Sequence, residues 1–426
     1  MKKALIITYY WPPSGGAGVQ RWLKFVKYLP EFGVEPIVLT VNPLQASYPQ
    51  FDASLLHDIA PSVRVERTPT FELYGLYKRL TGKQEIPYGG FANETSPTFI
   101  QRVGRAIRGN FFLPDPRRGW NRYAIKRAKT LIRELDITTV ITTGPPHSTH
   151  LIGLKLRRKF CNIKWIADFR DPWTDIYYYN KFPRFGWAKS LDRTLECKVL
   201  NNADHLLTVS DDFARLLTEK VKTGHTLPYS VIPNGYDAED FHRPAPATDT
   251  ARYVITYVGT ISDDYDLSGL LAAFDLLSPD VRRQVQLRFV GKVPLYIAEQ
   301  LNERIDVDLV GFVSHPVAVG YLLQSDMQLL VIPKVKGNSG IMPGKLLEYI
   351  ASGKPALAIG PHGCDAEILL AETHCGQVFD YHEAQAMADY IQKGIDGAIE
   401  RPSKTAIAMF SRRSLTGKLS KIIIDE

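Results

Sequence analysis

Cysteine is scarce in this sequence of 426 residues, and its four cysteines form no paired motif. Cys161, Cys197, Cys364 and Cys375 lie far apart without a C-x-x-C spacing, which argues against a disulfide framework and against a zinc site. We therefore expect a cytoplasmic protein in a reducing environment.

Long apolar runs are also missing. No stretch reaches the roughly 18 apolar residues that identify a transmembrane helix. The opening MKKALIITYYW has two lysines before an apolar run that is too short for a secretory signal, and no small-residue cleavage site follows it. We interpret this run as the first β-strand of a globular chain.

Acidic residues are outnumbered by basic ones, with a net charge of +7 and a pI near 9.0. Nucleic acid, an anionic membrane and phosphorylated small molecules are the partners that such a balance suggests. The segment between Gln101 and Glu134 interleaves cations with aromatic residues, which predicts either a peripheral membrane surface or a solvated helix face. Its cations are Arg102, Arg105, Arg108, Arg117, Arg118, Arg122, Lys126, Arg127, Lys129 and Arg133. No nucleic-acid-binding motif accompanies them, so a nucleic-acid partner is not predicted.

A pattern of strand-like runs separated by helical stretches occurs twice, first from KALIITYYW to YSVIPNG and again from RYVITYVGT to PALAIG. It predicts an α/β protein with two doubly wound parallel sheets. A polar, proline-containing linker separates the halves, giving predicted domains at 1–240 and 241–405. The tail, 406–426, has a helical spacing that allows it to pack back on the first domain. Ligands of such sheets bind beyond the carboxyl ends of the strands, so two facing domains would enclose a cleft.

The segment Gly337 to Pro361, GNSGIMPGKLLEYIASGKPALAIGP, predicts a polar loop, a helix opened by Pro343 and a final strand. Such a loop and helix start bind anions, and Lys345 adds a positive charge there. Glu348, one turn later, can accept hydrogen bonds from ribose hydroxyls. We therefore predict a nucleotide site, whose loop N–H groups belong to Asn338, Ser339 and Gly340. The alternative is an ordinary surface ion pair between Lys345 and Glu348.

A glycine-rich turn, Ser14 to Gly18, follows the first strand. It lacks the spacing of a dinucleotide fingerprint and no acidic residue ends the second strand, so a nicotinamide cofactor is not predicted. Its glycines let a ligand approach the backbone, which makes them candidate phosphate contacts: Gly15, Gly16 and Gly18. The alternative is a purely structural tight turn.

Charged and aromatic residues also follow two later strands. Asp171 and Arg170 lie in ADFRDPW, where Arg170 can clamp an anionic group and Trp173 can face a sugar; the alternative is a local Arg–Asp pair that closes the turn. His147 and His150 follow the strand before, and each can contact a substrate hydroxyl or act as acid or base. We expect at least one of the two histidines to cap the next helix.

Metal binding is not predicted at any of these places. The two histidines have no third ligand of suitable spacing nearby. Asp306 and Asp308 form a D-x-D, but they precede the strand LVGFV at its amino end, so we interpret them as surface residues.

The ordered motifs of the chain resemble those of glycosyltransferase family 4, which has the GT-B architecture of two facing Rossmann-like domains. The similar segments are YYWPPSGGAGVQRW, KWIADFRDPW, HLLTVSD, VIPNGYD, YVGT, FVG, GFVSH and PGKLLEYIASGKPALAIG. Three positions depart from the family pattern. Gly340 replaces the first of two glutamates, Thr260 replaces an arginine that grips the donor diphosphate, and Arg170 stands where a histidine is usual. The lysine expected after Thr260 is also missing, which leaves Lys345 to contact the phosphates.

This resemblance implies transfer of a glycosyl group from a nucleotide diphosphate sugar to a glycan or lipid-linked acceptor, with retention of configuration and without a cofactor. Lys345 would neutralise the leaving diphosphate. Arg170 and Asp171 would orient the sugar or acceptor. The implied setting is bacterial surface polysaccharide or glycolipid assembly at the cytoplasmic face of the membrane. A sugar-nucleotide epimerase of the same fold and a catalytically silent sugar-nucleotide-binding protein are the alternatives.

Overall fold

The computed structural model describes residues 1–72, 106, 109–177, 179, 183–241, 252–400 and 402–425. The chain divides into two compact units, of which unit 1 comprises Met1–Pro233 with Leu415–Glu426, and unit 2 comprises Asn234–Ser414. The first boundary between the units follows Pro233 and so precedes the predicted boundary at 240. The reason is that the backbone of Tyr236 is hydrogen-bonded to residues near the C-terminal end of unit 2. Its N–H donates to the Phe410 carbonyl at 3.3 Å, and the Arg412 N–H donates to the Tyr236 carbonyl at 2.8 Å.

Unit 1 contains a seven-stranded parallel sheet in the order β3-β2-β1-β4-β5-β6-β7. Its strands are β1 Lys2–Ile7, β2 Val34–Val41, β3 Arg64–Thr68, β4 Thr139–Gly144, β5 Lys164–Phe169, β6 His205–Thr208 and β7 Tyr229–Val231. Its helices before the start of unit 2 are α1 Ala17–Tyr28, α2 Asn121–Glu134, α3 Ser148–Lys159, α4 Gly186–Leu200 and α5 Asp211–Thr218. There are 3₁₀ turns at Leu29–Phe32, Ala53–Asp58 and Pro116–Trp120. Strand side chains alternate between two cores, with Leu5 and Ile7 in one and Ala4 and Ile6 in the other. Helices therefore cover both faces of the sheet.

Unit 2 contains a six-stranded parallel sheet in the order β10-β9-β8-β11-β12-β13. Its strands are β8 Tyr253–Thr260, β9 Val285–Lys292, β10 Asp306–Gly311, β11 Met327–Val331, β12 Ala356–Ile359 and β13 Gly376–Phe379. Its helices are α6 Ser268–Leu276, α7 Pro279–Gln284, α8 Leu295–Asn302, α9 His315–Gln324, α10 Gly344–Ser352, α11 Asp365–Thr373, α12 Ala384–Ile395 and α13 Lys404–Ala408, with a 3₁₀ turn at Ala238–Phe241. The predicted α/β class with two doubly wound sheets is confirmed.

The last helix, α14 Arg412–Ile424, begins in unit 2 and ends in unit 1. Leu415, Leu419 and Ile423 recur at every fourth position and are completely buried in the core that also contains Ala4 and Ile6. Two lysine ammonium groups bind the carbonyls that the helix end leaves unsatisfied. Lys164 Nζ donates to the Ile422 carbonyl at 2.8 Å, and Lys2 Nζ donates to the Ile424 carbonyl at 3.0 Å.

Candidate active site

In each sheet, the strand order reverses between two neighbouring strands, at β1 and β4 in unit 1 and at β8 and β11 in unit 2. Ligands of doubly wound sheets bind at the carboxyl ends of such strand pairs. The predicted site residues follow these ends. Gly15 to Gly18 come after β1, His147 after β4, and the loop from Gly337 after β11.

The segment from Gly337 to Pro361 folds as predicted. Helix α10 begins after Pro343 and ends at Gly353, whose φ of 68° is the left-handed conformation that glycine adopts most easily. The alternative of a Lys345–Glu348 ion pair is wrong, because the two side chains have different partners. Lys345 Nζ lies 3.5 Å from the centroid of the Tyr257 ring, and Glu348 Oε1 lies 2.9 Å from His315 Nε2.

The Lys345 ammonium lies beside the carboxyl end of β8. A Cβ built on Gly259 would be 3.4 Å from Nζ, an ordinary van der Waals distance, which places the ammonium directly beside this residue. Burial lowers the pKa of Lys345 well below its ordinary value. Within the described parts of the chain no carboxylate lies within ion-pair distance of it. An anion bound at this edge would supply the missing countercharge.

The loop before α10 is held by its side chains and carbonyls. Asn338 Nδ2 donates to the Pro333 carbonyl and to the Tyr381 hydroxyl, each at 3.0 Å, and the Asp365 N–H donates to the Ser339 carbonyl at 3.0 Å. The N–H groups of Asn338 and Ser339 donate to no acceptor among the described residues. Gly340 is buried in this turn. The loop therefore has a fixed shape and presents backbone donors suited to an anion.

Glu348 is held by a residue that the sequence did not indicate. His315, at the start of α9, is the partner of its carboxylate, and this hydrogen bond is the main reason that the pKa of His315 is raised. The pair leaves Glu348 Oε2 for a further donor such as a ribose hydroxyl. We therefore regard His315 as a residue that orients Glu348.

Replacing Glu348 by glutamine should lower the pKa of His315, because the neutral amide stabilises the imidazolium less than a carboxylate does. Titration of His315 followed by NMR measures this shift. In the wild-type protein, the raised pKa should keep His315 charged and paired with Glu348 to a pH above the pKa of an ordinary histidine. The contribution of this pair to stability should be lost as the pH rises through the raised pKa. An unchanged His315 titration would show that the pair is absent in solution.

The three glycines of the unit 1 loop differ in whether their N–H groups already have an acceptor. The Gly15 N–H already donates to the Gln50 carbonyl at 2.9 Å, whereas those of Gly16 and Gly18 have no acceptor among the described residues. Gly16 has a φ of 98° and directly precedes α1, so a side chain here would strain the turn. Of the three, Gly16 and Gly18 retain the N–H groups that an anion needs.

Arg170 does not form the local Arg–Asp pair that was the alternative for its turn. Its guanidinium donates to three carbonyls instead, those of Gly144 at 3.2 Å, Pro145 at 2.7 Å and Gly18. A Cβ on Gly18 would lie 2.6 Å from Arg170 Nη1, so the glycine makes this close approach possible. The arrangement brings Arg170 and the glycine loop together at the carboxyl edge of the sheet.

Asp168, by contrast, is a buried structural residue. Its carboxylate accepts hydrogen bonds from Trp22 at 2.6 Å, Thr143 at 2.8 Å and Arg21 at 3.0 Å. Arg21 also donates to the Ile232 carbonyl at 2.7 Å. These contacts fix α1 and its glycine loop against the ends of β4 and β5.

Asp171 is only partly buried and accepts no hydrogen bond from the described residues. Burial raises the pKa of its carboxyl, and the neighbouring Arg170 partly opposes that rise. A carboxyl without a partner at the edge of a parallel sheet is suited to bind a hydroxyl of a ligand.

His147, His150 and Trp173 form a buried aromatic stack. The His150 ring lies 4.2 Å from that of Phe169, and the His147 ring lies 5.0 Å from that of Trp173. Burial lowers the pKa of both histidines, that of His150 to about 3, so both are neutral. Trp173 is 2% exposed and donates to Asp192 at 2.8 Å, which does not favour its predicted contact with a sugar.

The expectation that a histidine caps α3 is wrong. His147 occupies the capping position but its side chain makes no capping hydrogen bond. Asp115, a residue distant in sequence, accepts instead from the Ser148 N–H at 2.7 Å and from its hydroxyl at 2.9 Å. No local sequence signal connects Asp115 to this helix.

The D-x-D residues are held by arginines at the amino end of β10, where Asp308 pairs with Arg288 at 2.7 Å and Asp306 pairs with Arg252. The described residues contain no group of three or more potential metal ligands from histidine, cysteine, aspartate or glutamate. None of the helices within the described ranges is long and apolar enough to span a membrane.

Several solved structures share the fold of this chain. Sucrose-phosphate synthase from Thermosynechococcus elongatus superposes with a TM-score of 0.60 at 16% identity, covering 99% of this chain and 98% of that one. The lipopolysaccharide outer core galactosyltransferase WaaB gives 0.56 at 14%, covering 99% of both chains. Anabaena HepE in complex with UDP-glucose gives 0.54 at 13%, covering 99% and 95%.

Comparison with curated protein sequences gives no match. Family models match almost the whole chain. Residues 15–240 match Glycosyltransferase Family 4, and residues 238–407 match glycosyl transferases group 1. The chain therefore belongs to glycosyltransferase family 4 and is a glycosyltransferase with the GT-B fold.

Proposed function

We propose that this glycosyltransferase moves a sugar from a nucleotide diphosphate sugar to an acceptor hydroxyl with retention of configuration and without a metal ion. The observation that carries the proposal is the Lys345 ammonium, which lies at the carboxyl edge of unit 2 without a carboxylate partner among the described residues. Lys345 is the second residue of α10, and the loop that precedes this helix contains the N–H groups of Asn338 and Ser339, which have no acceptor among the described residues. A leaving diphosphate gains negative charge as the sugar departs, and fixed positive groups stabilise that charge.

The nucleotide would be placed by Glu348, with one carboxylate oxygen on His315 and the other on a ribose hydroxyl. Lys345 would contact the phosphates one helical turn earlier, which agrees with the order of phosphate and ribose in a nucleotide. Anabaena HepE was solved with UDP-glucose, so UDP-sugars are the first donors to test.

The acceptor would bind at the carboxyl edge of unit 1. Asp171 would accept a hydrogen bond from a hydroxyl of the acceptor other than the one that reacts, and Arg170 would hold the turn in place through the carbonyls of Gly144, Pro145 and Gly18. Retention without a covalent intermediate requires the leaving phosphate itself to take the acceptor proton. This front-face course suits a site whose histidines, His147 and His150, are buried and neutral.

We further propose a role in bacterial surface polysaccharide or glycolipid assembly in the cytoplasm. The support is the similar fold of WaaB, a lipopolysaccharide outer core galactosyltransferase. The acceptor is then a glycan or a lipid-linked sugar.

The test is incubation of the full chain with UDP-glucose or another nucleotide sugar, together with a set of glycan and lipid-linked acceptors, in the presence of EDTA. Release of the nucleoside diphosphate, together with an NMR coupling constant that shows the donor's anomeric configuration in the product, is the expected result. An inverted product, or turnover that EDTA abolishes and magnesium restores, would contradict the retaining or the metal-independent part. An epimerised sugar nucleotide would identify an epimerase, and binding without any turnover would identify a silent binder.

A further inference from the structure

Helices α2, α3 and α4 pack side by side on one face of the unit 1 sheet. Their outer faces are almost entirely basic. Helix α3 has no acidic residue, and its exposed charges belong to Lys155, Arg158 and Lys159. Helix α2 exposes Arg122, Lys126 and Arg133, with Glu134 as its sole acidic residue. We call the outer faces of these three helices the basic layer.

Helix α4 has two acidic residues, and both point inward. Asp192 is completely buried and accepts hydrogen bonds from Trp173 at 2.8 Å and Tyr179 at 2.9 Å. Glu196 is also buried and pairs with Lys220 at 2.7 Å. The exposed charges of α4 are therefore all positive: Lys189, Arg193 and Lys198.

Large apolar side chains lie exposed at one end of the basic layer. Trp187 is 51% exposed and Leu191, one helical turn later, is 42% exposed. Phe111, 71% exposed, approaches Trp187 with ring centroids 6.0 Å apart, and Phe185 directly precedes α4. A cluster of exposed aromatic residues next to a basic surface is uncommon where that surface has no binding partner.

This apolar end lies at the edge of the sheet that carries Asp171. Helix α4 follows β5 and runs back along the sheet, so its N-terminus, with Trp187, lies towards the carboxyl end of β5. Of the residues between β5 and α4, Trp173 and Tyr179 are bound to α4 through their hydrogen bonds with Asp192. Cations beside exposed tryptophan, phenylalanine and leucine match the anionic headgroups and the interfacial region of a bilayer.

We propose that the basic layer, with Phe111, Phe185, Trp187 and Leu191 at its end, docks this protein on an anionic lipid membrane. The aromatic side chains enter the headgroup region, and the lysines and arginines contact the anionic lipids. A lipid-linked acceptor then reaches Asp171 from the bilayer surface. This surface coincides only in part with the one predicted between Gln101 and Glu134. It includes Phe111 and the exposed cations of α2, whereas Leu113, Arg117 and Trp120 of that segment are buried. Three further cations of the segment, Arg102, Arg105 and Arg108, lie outside the described residues.

Sedimentation of the full chain with lipid vesicles tests this proposal without any assay of transfer. The protein should sediment with vesicles of equimolar phosphatidylglycerol and phosphatidylcholine, much less with phosphatidylcholine alone, and less again at high salt. The double variant Lys189→Ser/Lys198→Ser should require about tenfold more anionic lipid for half-maximal binding. Trp187→Ser should weaken binding at high salt as well, because its contribution is apolar.

Matched controls lie on unit 2, where Lys292, Lys393 and Tyr296 are exposed. The double variant Lys292→Ser/Lys393→Ser removes the same charge, and Tyr296→Ser removes an aromatic side chain that is also 51% exposed. Both should bind vesicles like wild type, and all variants should keep the wild-type melting temperature. Equal losses in the control variants, equal binding to both vesicle types, or binding to an oligonucleotide in place of vesicles would overturn the proposal. Because no sugar transfer is measured, failure here leaves the proposed reaction unaffected.

Discussion

Replacing Lys345 by methionine should weaken the binding of a nucleotide diphosphate sugar at least tenfold, a loss of about 1.4 kcal/mol or more. Methionine keeps the length and apolar stem of lysine, so it should still pack on Tyr257. What it removes is the positive charge beside the carboxyl end of β8. Turnover should fall further than affinity, because the leaving diphosphate carries more charge in the transition state than in the bound donor.

The lowered pKa of Lys345 leads to a second prediction, which concerns the uptake of a proton when the donor binds. Burial disfavours the charged ammonium in the empty site, and a bound diphosphate favours it, so donor binding should raise this pKa. At a pH between the two values, binding takes up a proton. Calorimetry in phosphate and in Tris should then give different apparent enthalpies for wild type and equal ones for Lys345→Met.

Lys354→Met provides the control, since Lys354 lies just beyond the other end of α10 and leaves the N-terminal charge intact. Its donor affinity and its dependence on buffer should be those of wild type. If folded Lys345→Met bound the donor as tightly as wild type, Lys345 would not be a phosphate ligand. If affinity fell but the buffer effect persisted, another group would be taking up the proton.

Replacing Asp171 by asparagine should reduce kcat/KM for the acceptor by roughly a hundredfold or more, a loss typical of a charged group that positions a substrate. Donor binding should change little, because the residue lies in unit 1. Burial raises the pKa of this carboxyl, so the acid limb of the wild-type pH profile should lie above the value of about 4 of an ordinary aspartate. The amide of the variant cannot titrate, so the variant should lack that limb.

The same substitution should raise the melting temperature at neutral pH. The folded-state pKa of Asp171 lies above the unfolded-state value, so ionisation destabilises the fold as the pH rises through these values. An amide avoids this cost at neutral pH, and the difference from wild type should vanish below pH of about 4. Loss of activity with a gain in stability is the pattern expected of a functional residue that is poorly accommodated by its surroundings.

Asp389→Asn, at an exposed position of α12, is the matched control and should change neither activity nor melting temperature. A folded Asp171→Asn variant with wild-type kcat/KM would show that Asp171 does not contact the acceptor. A wild-type pH profile in an otherwise impaired variant would assign the acid limb to another group.

Local signals in the sequence were sufficient to predict helix α10. Pro343, Gly353 and the apolar run from Ala356 fix where α10 begins and ends and where β12 follows, and these depend on backbone preferences within a few residues. The parallel sheets were also predictable, because buried strands alternate regularly with helices along the sequence.

Partners distant in the chain were not predictable in the same way. The neighbours of Lys345 and Glu348 are Tyr257 and His315, and each belongs to a different element of the fold. Spacing along one helix made the Lys345–Glu348 pair an equally reasonable expectation. Which partner each side chain meets depends on how the strands are ordered, and the composition of a single segment does not contain that information.

Arg170 illustrates the same limit within one short turn. Its neighbours Asp168 and Asp171 suggested an ion pair, but the Asp168 carboxylate is already bound by Arg21 and Trp22. The guanidinium reaches the glycine loop after β1 instead. The sequence therefore predicted a turn at the carboxyl end of β5 but not the contacts of its residues.

The return of α14 to unit 1 affects how the protein folds during synthesis. A ribosome completes residues 1–233 first, yet the buried positions of Leu415, Leu419 and Ile423 in the unit 1 core remain unfilled until all of unit 2 has been made. Domains usually fold in the order in which they emerge. Here the first unit to emerge is the last to be completed, so its uncovered apolar face must remain soluble, or be held by a chaperone, while the rest of the chain is translated.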